Sequence, residues 1–296
     1  MLFSGIDIGS NAVRLLFANV FETKGGPVTE KATLLRIPIR LGMDVFTLGR
    51  ISDQKTEYLV KTMKAFKLLI DVYQPESYLA AATSAMREAS NNKEVMDIVR
   101  KESGLTIDLI DGIQEANIIS SFSNLMVNKA FTKTLYIDVG GGSTELSIID
   151  GKDFITSNSF KLGTIRLLAD AVPDDEWDKM HKWLNLFKAD FGRMNVIGSG
   201  GNINKITKLY GNAYNNIVNL DQLQFAYKQL NTMPLEKRIE KMGLRPDRAD
   251  VIVPAAQIFI KILKWTDLQI VSAPKIGLAD GLVLMQYKMM KAAANQ

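Results

Sequence analysis

The 296-residue chain contains no cysteine and a single histidine, His181. Without thiols there is no disulfide framework, thiolate nucleophile, iron–sulfur cluster or cysteine zinc site, so folding needs no oxidising compartment. One imidazole excludes sites built from several. His181 lies in Glu176-Trp177-Asp178-Lys179-Met180-His181-Lys182-Trp183, a mostly polar helix face, and reads as a solvated side chain; a general base would need an orienting partner. No apolar run reaches the roughly 20 residues that span a bilayer. The apolar N-terminus carries Asp7 and Arg14 and no basic leader, so neither signal peptide nor membrane anchor is expected and the cytoplasm is the default compartment. Charge of one sign is also scarce. The 36 basic residues against 32 acidic give +4, which suits an anionic substrate but lacks the clustered basic face of a DNA binder. Any bound metal is then a hard cation held by carboxylates, carbonyls and phosphate oxygens, with Mg²⁺ leading.

What is present is ordinary globular material, 47% hydrophobic and 23% charged, long enough for about two domains. Phe3 to Ile8 and Ala12 to Val20 flank a glycine turn like the arms of a hairpin, and extended pieces follow to Ile39. Ser52 is placed to cap a helix whose apolar positions Leu59, Met63, Phe66, Ile70 and Tyr73 keep to one face. Then come a strand over Tyr78 to Ala82, a helix over Asn92 to Ser103 closed by Gly104, and a strand over Leu105 to Ile110, a parallel β-α-β unit. A helix from Ile113 runs to about Asn128.

At Thr134 the pattern restarts, with strands over Thr134–Asp138 and Glu145–Ile149 around a glycine turn. Asp7-Ile8-Gly9-Ser10-Asn11 and Asp138-Val139-Gly140-Gly141-Gly142 are similar hairpins, which suggests two related halves. The boundary falls near residue 121: a lobe over 1–121, completed by the C-terminal helix of about 281–296, and a lobe over 122–280. The second half is richer in helix, with Asp174–Phe187, Asp221–Asn231, one long helix from Asp247 to Trp265 opened by Pro246, and a last helix from Asp280. Short strands lie over Met194–Ile197 and Leu268–Val271.

Glycine-rich turns let successive backbone N–H groups converge on an anion without obstruction by Cβ. Three follow strands here: Gly9-Ser10-Asn11, Gly140-Gly141-Gly142-Ser143-Thr144 and Gly198-Ser199-Gly200-Gly201. The Walker and dinucleotide-binding patterns are both absent. Asp7 and Asp138, at the mouths of the hairpins, suit metal or metal-bound water, or else bond their own turns. Glu145 opens the strand after the second turn. Glu115 starts a helix after Asp111-Gly112, as a capping charge or as a base. Arg87 follows a strand and suits a phosphate clamp or an ion pair. Arg14, Arg40, Lys161, Arg166 and Arg248 are candidates to line a path for a polyanion, although each alone reads as an ion pair.

Asp7-Ile8-Gly9-Ser10-Asn11-Ala12-Val13-Arg14, Arg40-Leu41-Gly42, Ala82-Thr83-Ser84-Ala85-Met86-Arg87-Glu88, Gln114-Glu115-Ala116, Ile137-Asp138-Val139-Gly140-Gly141-Gly142-Ser143-Thr144-Glu145, Gly163-Thr164-Ile165-Arg166-Leu167 and Arg248-Ala249-Asp250-Val251 occur in that order. Together they resemble the successive signatures of the exopolyphosphatase and guanosine pentaphosphate phosphohydrolase family. The resemblance implies an α/β fold of two similar ribonuclease-H-like domains of the actin, Hsp70 and sugar-kinase superfamily, with an interdomain cleft. It also implies metal-dependent hydrolysis of terminal phosphate from polyphosphate or pppGpp, with Mg²⁺ as cofactor, and a homodimer. By the same similarity Glu115 activates water, and Asp138 and Glu145 position metal or water, with Asp7 as a further metal ligand. Gly9, Ser10, Asn11, Arg87, Gly140, Gly141, Gly142, Ser143, Thr144 and Gly200 grip phosphate. The chain departs from the family pattern at Gln114, which replaces a glutamate, at Asn202, where threonine is frequent, and at Ala279, which replaces an arginine. Two other readings fit glycine hairpins with acids: an ATP-dependent kinase of the same fold, and a protein that binds (p)ppGpp or polyphosphate with weak catalysis.

Overall fold

The computed structural model describes residues 1–120, 122, 131, 133–151 and 153–294. The chain divides into two compact units, Met1–Ser121 with Gly277–Gln296, and Phe122–Ile276. The first holds β1 (Leu2–Ile8), β2 (Val13–Thr23), β3 (Gly26–Ile37), β4 (Tyr78–Ala82) and β5 (Asp108–Leu109) in the order β3-β2-β1-β4-β5. β1, β2 and β3 run antiparallel, and β1, β4 and β5 run parallel. The second holds β6 (Lys133–Val139), β7 (Thr144–Asp150), β8 (Asp153–Phe160), β9 (Met194–Ser199), β10 (Ile217–Asn219) and β11 (Ile270–Ser272) in the order β10-β11-β9-β6-β7-β8. Its strands β8-β7-β6-β9-β11 repeat the first unit's order and directions, with β10 added at an edge. The restart in the sequence is thus a duplicated mixed α/β sheet.

Each sheet has an apolar face that explains its strands. In the second unit Leu135, Ile137, Val139, Leu146 and Ile148 alternate into one core beneath the helices Leu220–Thr232 and Ile252–Thr266, while Asp138 and Glu145 alternate to the other side. The first unit does the same with Ile6, Ile8, Val13, Leu15 and Phe17, which leaves Gly5, Asp7 and Arg14 on the opposite face. There the helix Leu278–Ala294 lies so close to β1 that a Cβ on Gly5 would sit 2.5 Å from the Ala279 carbonyl oxygen. Ala279 is buried by this approach, and Asp280 beside it pairs with Lys31 of β3 at 2.8 Å. Burial pushes the Asp280 carboxyl above its ordinary value, and Lys31 opposes that shift.

Helix ends follow their local chemistry. Ser52 Oγ accepts from Lys55 N at 3.3 Å and starts Asp53–Tyr73, whose Leu59, Met63, Phe66 and Ile70 are buried. Each such side chain contributes about 1.5–3 kcal/mol relative to exposure. Gly104 ends Asn92–Ser103 at φ 72°, a conformation that Cβ disfavours.

Several expectations are corrected. The strand expected over Leu105–Ile110 shrinks to Asp108–Leu109, at the sheet edge. The single helix expected over Asp247–Trp265 is two, Pro246–Ala249 and Ile252–Thr266. Pro254 lacks the N–H that would bond the Asp250 carbonyl and its ring would clash there, so the break falls one turn before it. β8 and the helices Leu41–Leu48, Gly201–Tyr210 and Leu235–Met242 add to the expected elements. His181 is not simply solvated: it stacks on Trp265 with ring centroids 4.8 Å apart. The helix from Ile113 is seen over Gly112–Ser120; its expected course to Asn128, and the last two positions of the C-terminal helix, lie outside the described residues. Among the described residues no helix is long and apolar enough to cross a membrane.

The first unit's small helix Leu41–Leu48 is fastened by a carboxylate. Asp44 accepts from Ser52 N at 3.1 Å and pairs with Lys55 at 2.8 Å. Burial alone would raise its pKa, but the hydrogen bonds from Lys55 and Ser52 together hold it below the ordinary 3.8. A depressed folded-state pKa adds stability that is present above 3.8 and lost as pH falls through the folded value. Asp44→Asn should therefore cost under about 1 kcal/mol near neutrality, a difference that vanishes in strong acid, as measured by urea melts from pH 7 down to pH 2.5.

Candidate active site

In both units the candidate residues gather at the carboxyl ends of the parallel strands, where α/β sheets usually present their chemistry. β1 and β2 join through Gly9-Ser10-Asn11-Ala12, closed by Gly9 N donating to Ala12 O at 3.1 Å. β6 and β7 join through Gly140-Gly141-Gly142-Ser143, closed by Gly140 N donating to Ser143 O at 3.0 Å. In register, Asp7 faces Arg14 and Asp138 faces Glu145. The two hairpins are one structure used twice, with a cation opposite the aspartate in the first and a carboxylate in the second.

The turns are held by their carbonyls. Arg40 N donates to Asn11 O at 3.1 Å and Gly42 N to Ser10 O at 2.8 Å. Arg40 takes a left-handed φ of 59° to enter this bond. In the second unit Thr164 N donates to Gly140 O at 3.0 Å, Ile165 N to Gly141 O at 2.8 Å, and the Arg166 side chain, through Nε, to Gly142 O at 2.8 Å. In a planar trans peptide the N–H points opposite to the C=O. Fixing these carbonyls toward the flanking segment therefore aims the N–H groups of Gly141, Gly142 and Ser143, and those of Asn11 and Ala12, to the other side. Such an array of parallel N–H dipoles favours an anion.

Three glycines make this geometry possible. A Cβ on Gly163 would lie 2.4 Å from Gly141 O, so the segment docks on the turn only without one. Gly200 has φ +108°, and its Cβ would lie 3.0 Å from Val139 O and 3.6 Å from Asp138 Oδ1. The third turn thereby passes directly beside the Asp138 carboxylate. At Gly201 a Cβ would meet the Arg248 guanidinium at 2.6 Å, which puts that cation against the same turn. Burial, and then the charges of Lys208 and Arg248, hold the Lys205 ammonium below its usual pKa.

The carboxylates differ in setting. Glu145 is 2% exposed and its Oε1 accepts from Ser159 Oγ of β8 at 2.7 Å. Asp138, half-buried, stands opposite it on the same face of the sheet. Asp7, expected as a third metal ligand, forms an ion pair with Arg14 through Oδ2. Among the described residues no group of three or more His, Cys, Asp or Glu side chains could hold a metal ion. Asp138 and Glu145 face each other as two carboxylates on adjacent strands.

Glu115 sits in the first turn of Gly112–Ser120, half-buried. Asp111 Oδ1 accepts from Gln114 N at 2.7 Å while Gln114 Oε1 accepts from Asp111 N at 2.9 Å, a reciprocal cap. This explains the glutamine at 114: either amide or carboxylate closes the cap, and Glu115 beside it is left out of the capping pair. Arg87 is half-buried, and its Nη1 donates to Ile110 O at 2.8 Å, which ties it to the chain leaving β5. Thr83 N donates to Ile8 O at 3.2 Å, so the segment carrying Arg87 starts beside the first turn.

Sequence reasoning left out Ser159, and it read Arg166 as a path-lining cation or an ion pair; the structure buries Arg166 at 5% exposure under the glycine turn. Gly163→Ala should cost about 1–3 kcal/mol in a thermal melt, because backbone meets the new methyl group. Gly192→Ala, where nothing lies within 4 Å, is the control and should melt within about 0.5 kcal/mol of the parent.

Residues 32–290 match the model of the Ppx/GppA phosphatase family. Exopolyphosphatase 1 of Mycobacterium leprae is 24% identical over 94% of this chain and 87% of its own. The guanosine-5'-triphosphate,3'-diphosphate pyrophosphatase of Photobacterium profundum is 22% identical over 98% of this chain and 59% of its own. The crystal structure of an exopolyphosphatase from Cytophaga hutchinsonii is similar in fold, with a TM-score of 0.80 at 22% identity, covering 99% of this chain and 98% of that one.

Proposed function

The chain belongs to the Ppx/GppA phosphatase family, and from that premise we propose that it hydrolyses the terminal phosphoric anhydride bond of inorganic polyphosphate or of guanosine pentaphosphate. The observation that carries this reading is the pair of carbonyl-locked turns, each with an acid at its mouth and its N–H groups turned to one side. Phosphoryl transfer needs little covalent chemistry from a protein; it needs charge neutralisation and an aligned nucleophile.

The roles divide as follows. N–H groups of Asn11, Gly141, Gly142 and Ser143 and the guanidinium of Arg87 hold phosphate oxygens, with Gly9, Ser10, Gly140, Thr144 and Gly200 shaping the turns. Glu115 orients a water for in-line attack and accepts its proton. Two carboxylates on adjacent strands, one buried, fit a cation better than they fit each other. Asp138 and Glu145 would hold Mg²⁺, which keeps water and substrate phosphate among its ligands and supplies positive charge for the transition state. Asp7 serves the first turn through Arg14 rather than the metal. Ser159 donates to Glu145 Oε1 and helps set the orientation of that carboxylate.

A panel of free-phosphate assays with Mg²⁺ on long polyphosphate, tripolyphosphate, pppGpp and ATP tests the reading. Polyphosphate or pppGpp should release phosphate, EDTA should stop it, and Glu115→Gln should lower kcat by about 10²–10⁴-fold with an unchanged melting curve. Normal release by Glu115→Gln removes the mechanism. ATP consumption that requires an added hydroxyl acceptor replaces it with a kinase.

A further inference from the structure

Asp138, Glu145 and Ser159 form one row across β6, β7 and β8, on the face of the second sheet opposite its helix-covered core. Two residues further along the strands, the next row on that face is Tyr136, Ser147 and Ser157, again in register. Ser147 is 0% exposed, and the Oγ atoms of Ser147 and Ser157 are both buried without a hydrogen-bond partner. Such a hydroxyl has lost its bonds to bulk water and gained none in the fold, which costs free energy. Residues directly opposed in an antiparallel pair hold their Cβ atoms about 4.5–5.5 Å apart, so both hydroxyls can reach one small guest.

The duplicated frame does not require this row to be polar. The corresponding row in the first unit, next to Asp7, Arg14 and Arg36, is Gly5, Leu16 and Leu34, which carries no polar side-chain atom. The chemistry of the guest follows from the two serines. Each hydroxyl donates one bond and accepts others, and neither bears charge. That set suits water, which needs little volume and about two to four polar partners. The row also adjoins a flaw in the ladder, because the β7–β8 register shifts between Ile148 and Ile149, one residue past Ser147. Such an irregularity disrupts strand pairing locally. β8 is the edge strand that brings Ser159 to Glu145, so a slip there would move the Ser159 hydroxyl off that carboxylate.

We propose that Ser147 and Ser157 hold an internal water that bridges β7 to β8 and clamps their register between the irregularity and the Ser159–Glu145 bond. The water takes no part in bond breaking, so the proposal stands apart from the hydrolase reading above.

The test is a double-mutant cycle with Ser147→Ala, Ser157→Ala and the double variant, read by urea melts. Each single variant should lower the folding equilibrium constant about fivefold, the worth of a typical hydrogen bond. The double variant should also lose about fivefold, not the product of the two, because the first substitution already releases the water. Single variants as stable as the parent or more so, as expected when an unpartnered hydroxyl is removed, overturn the proposal, and so do losses that multiply. A crystal structure of the parent then identifies the bridge. One density peak should lie within about 3.2 Å of both Oγ atoms and be missing from the double variant. A direct bond between the two hydroxyls, or a peak ringed by oxygens at the shorter distances of about 2.3–2.6 Å typical of a bound cation, overturns the water.

Discussion

Backbone carbonyls pinned from one side set the geometry of both glycine turns. In each unit the segment that follows the third strand donates N–H groups to the carbonyls of the first hairpin turn, Arg40 and Gly42 in one case and Thr164, Ile165 and Arg166 in the other. Peptide planarity converts that restraint into a fixed direction for the opposing N–H groups. The direction of those N–H groups is thus set by the backbone, before any ligand arrives. Gly163, pressed onto Gly141 and Gly142, and Arg166, buried with its Nε on Gly142 O, belong to that restraint as fully as the turn glycines do.

Duplication then permits division of labour. The hairpin register is identical, and the residue opposite the aspartate differs between the copies. Arg14 opposite Asp7 gives an ion pair. Glu145 opposite Asp138 gives two carboxylates on one face, one of them nearly inaccessible, an arrangement that costs free energy unless a cation or hydrogen-bond donors offset it. Ser159 supplies one such donor from the neighbouring strand. One position in a repeated frame thus separates a structural ion pair from a candidate cation site.

Much of this frame was legible in the amino acids. Alternation marked β1, β2, β6 and β7, and four-residue and three-residue spacing marked the helix from Asp53 with Ser52 as its cap. The strand Tyr78–Ala82 and the helix Asn92–Ser103 with its closing Gly104 fall where apolar pattern and glycine place them. β8 was not legible, since Asp153–Phe160 is a largely polar edge strand whose order comes from pairing with β7 rather than from its own pattern. The divided helix near Asp250 was misread because its apolar periodicity continues across a break imposed by Pro254.

The sequence by itself determined the permitted chemistry and the kinship: no thiols, one imidazole, glycine turns after aspartate-ended strands, and a series of motifs in the order of one phosphatase family. These are properties of residue type and local spacing, which the chain carries whether folded or not. Only the tertiary structure decided that Asp7 is neutralised by Arg14, that Ser159 holds Glu145, and that Arg166 lies beneath a turn instead of on the surface. Those outcomes depend on cross-strand register and on contacts between residues far apart in the chain, where a shift of one position would turn every side chain to the opposite face.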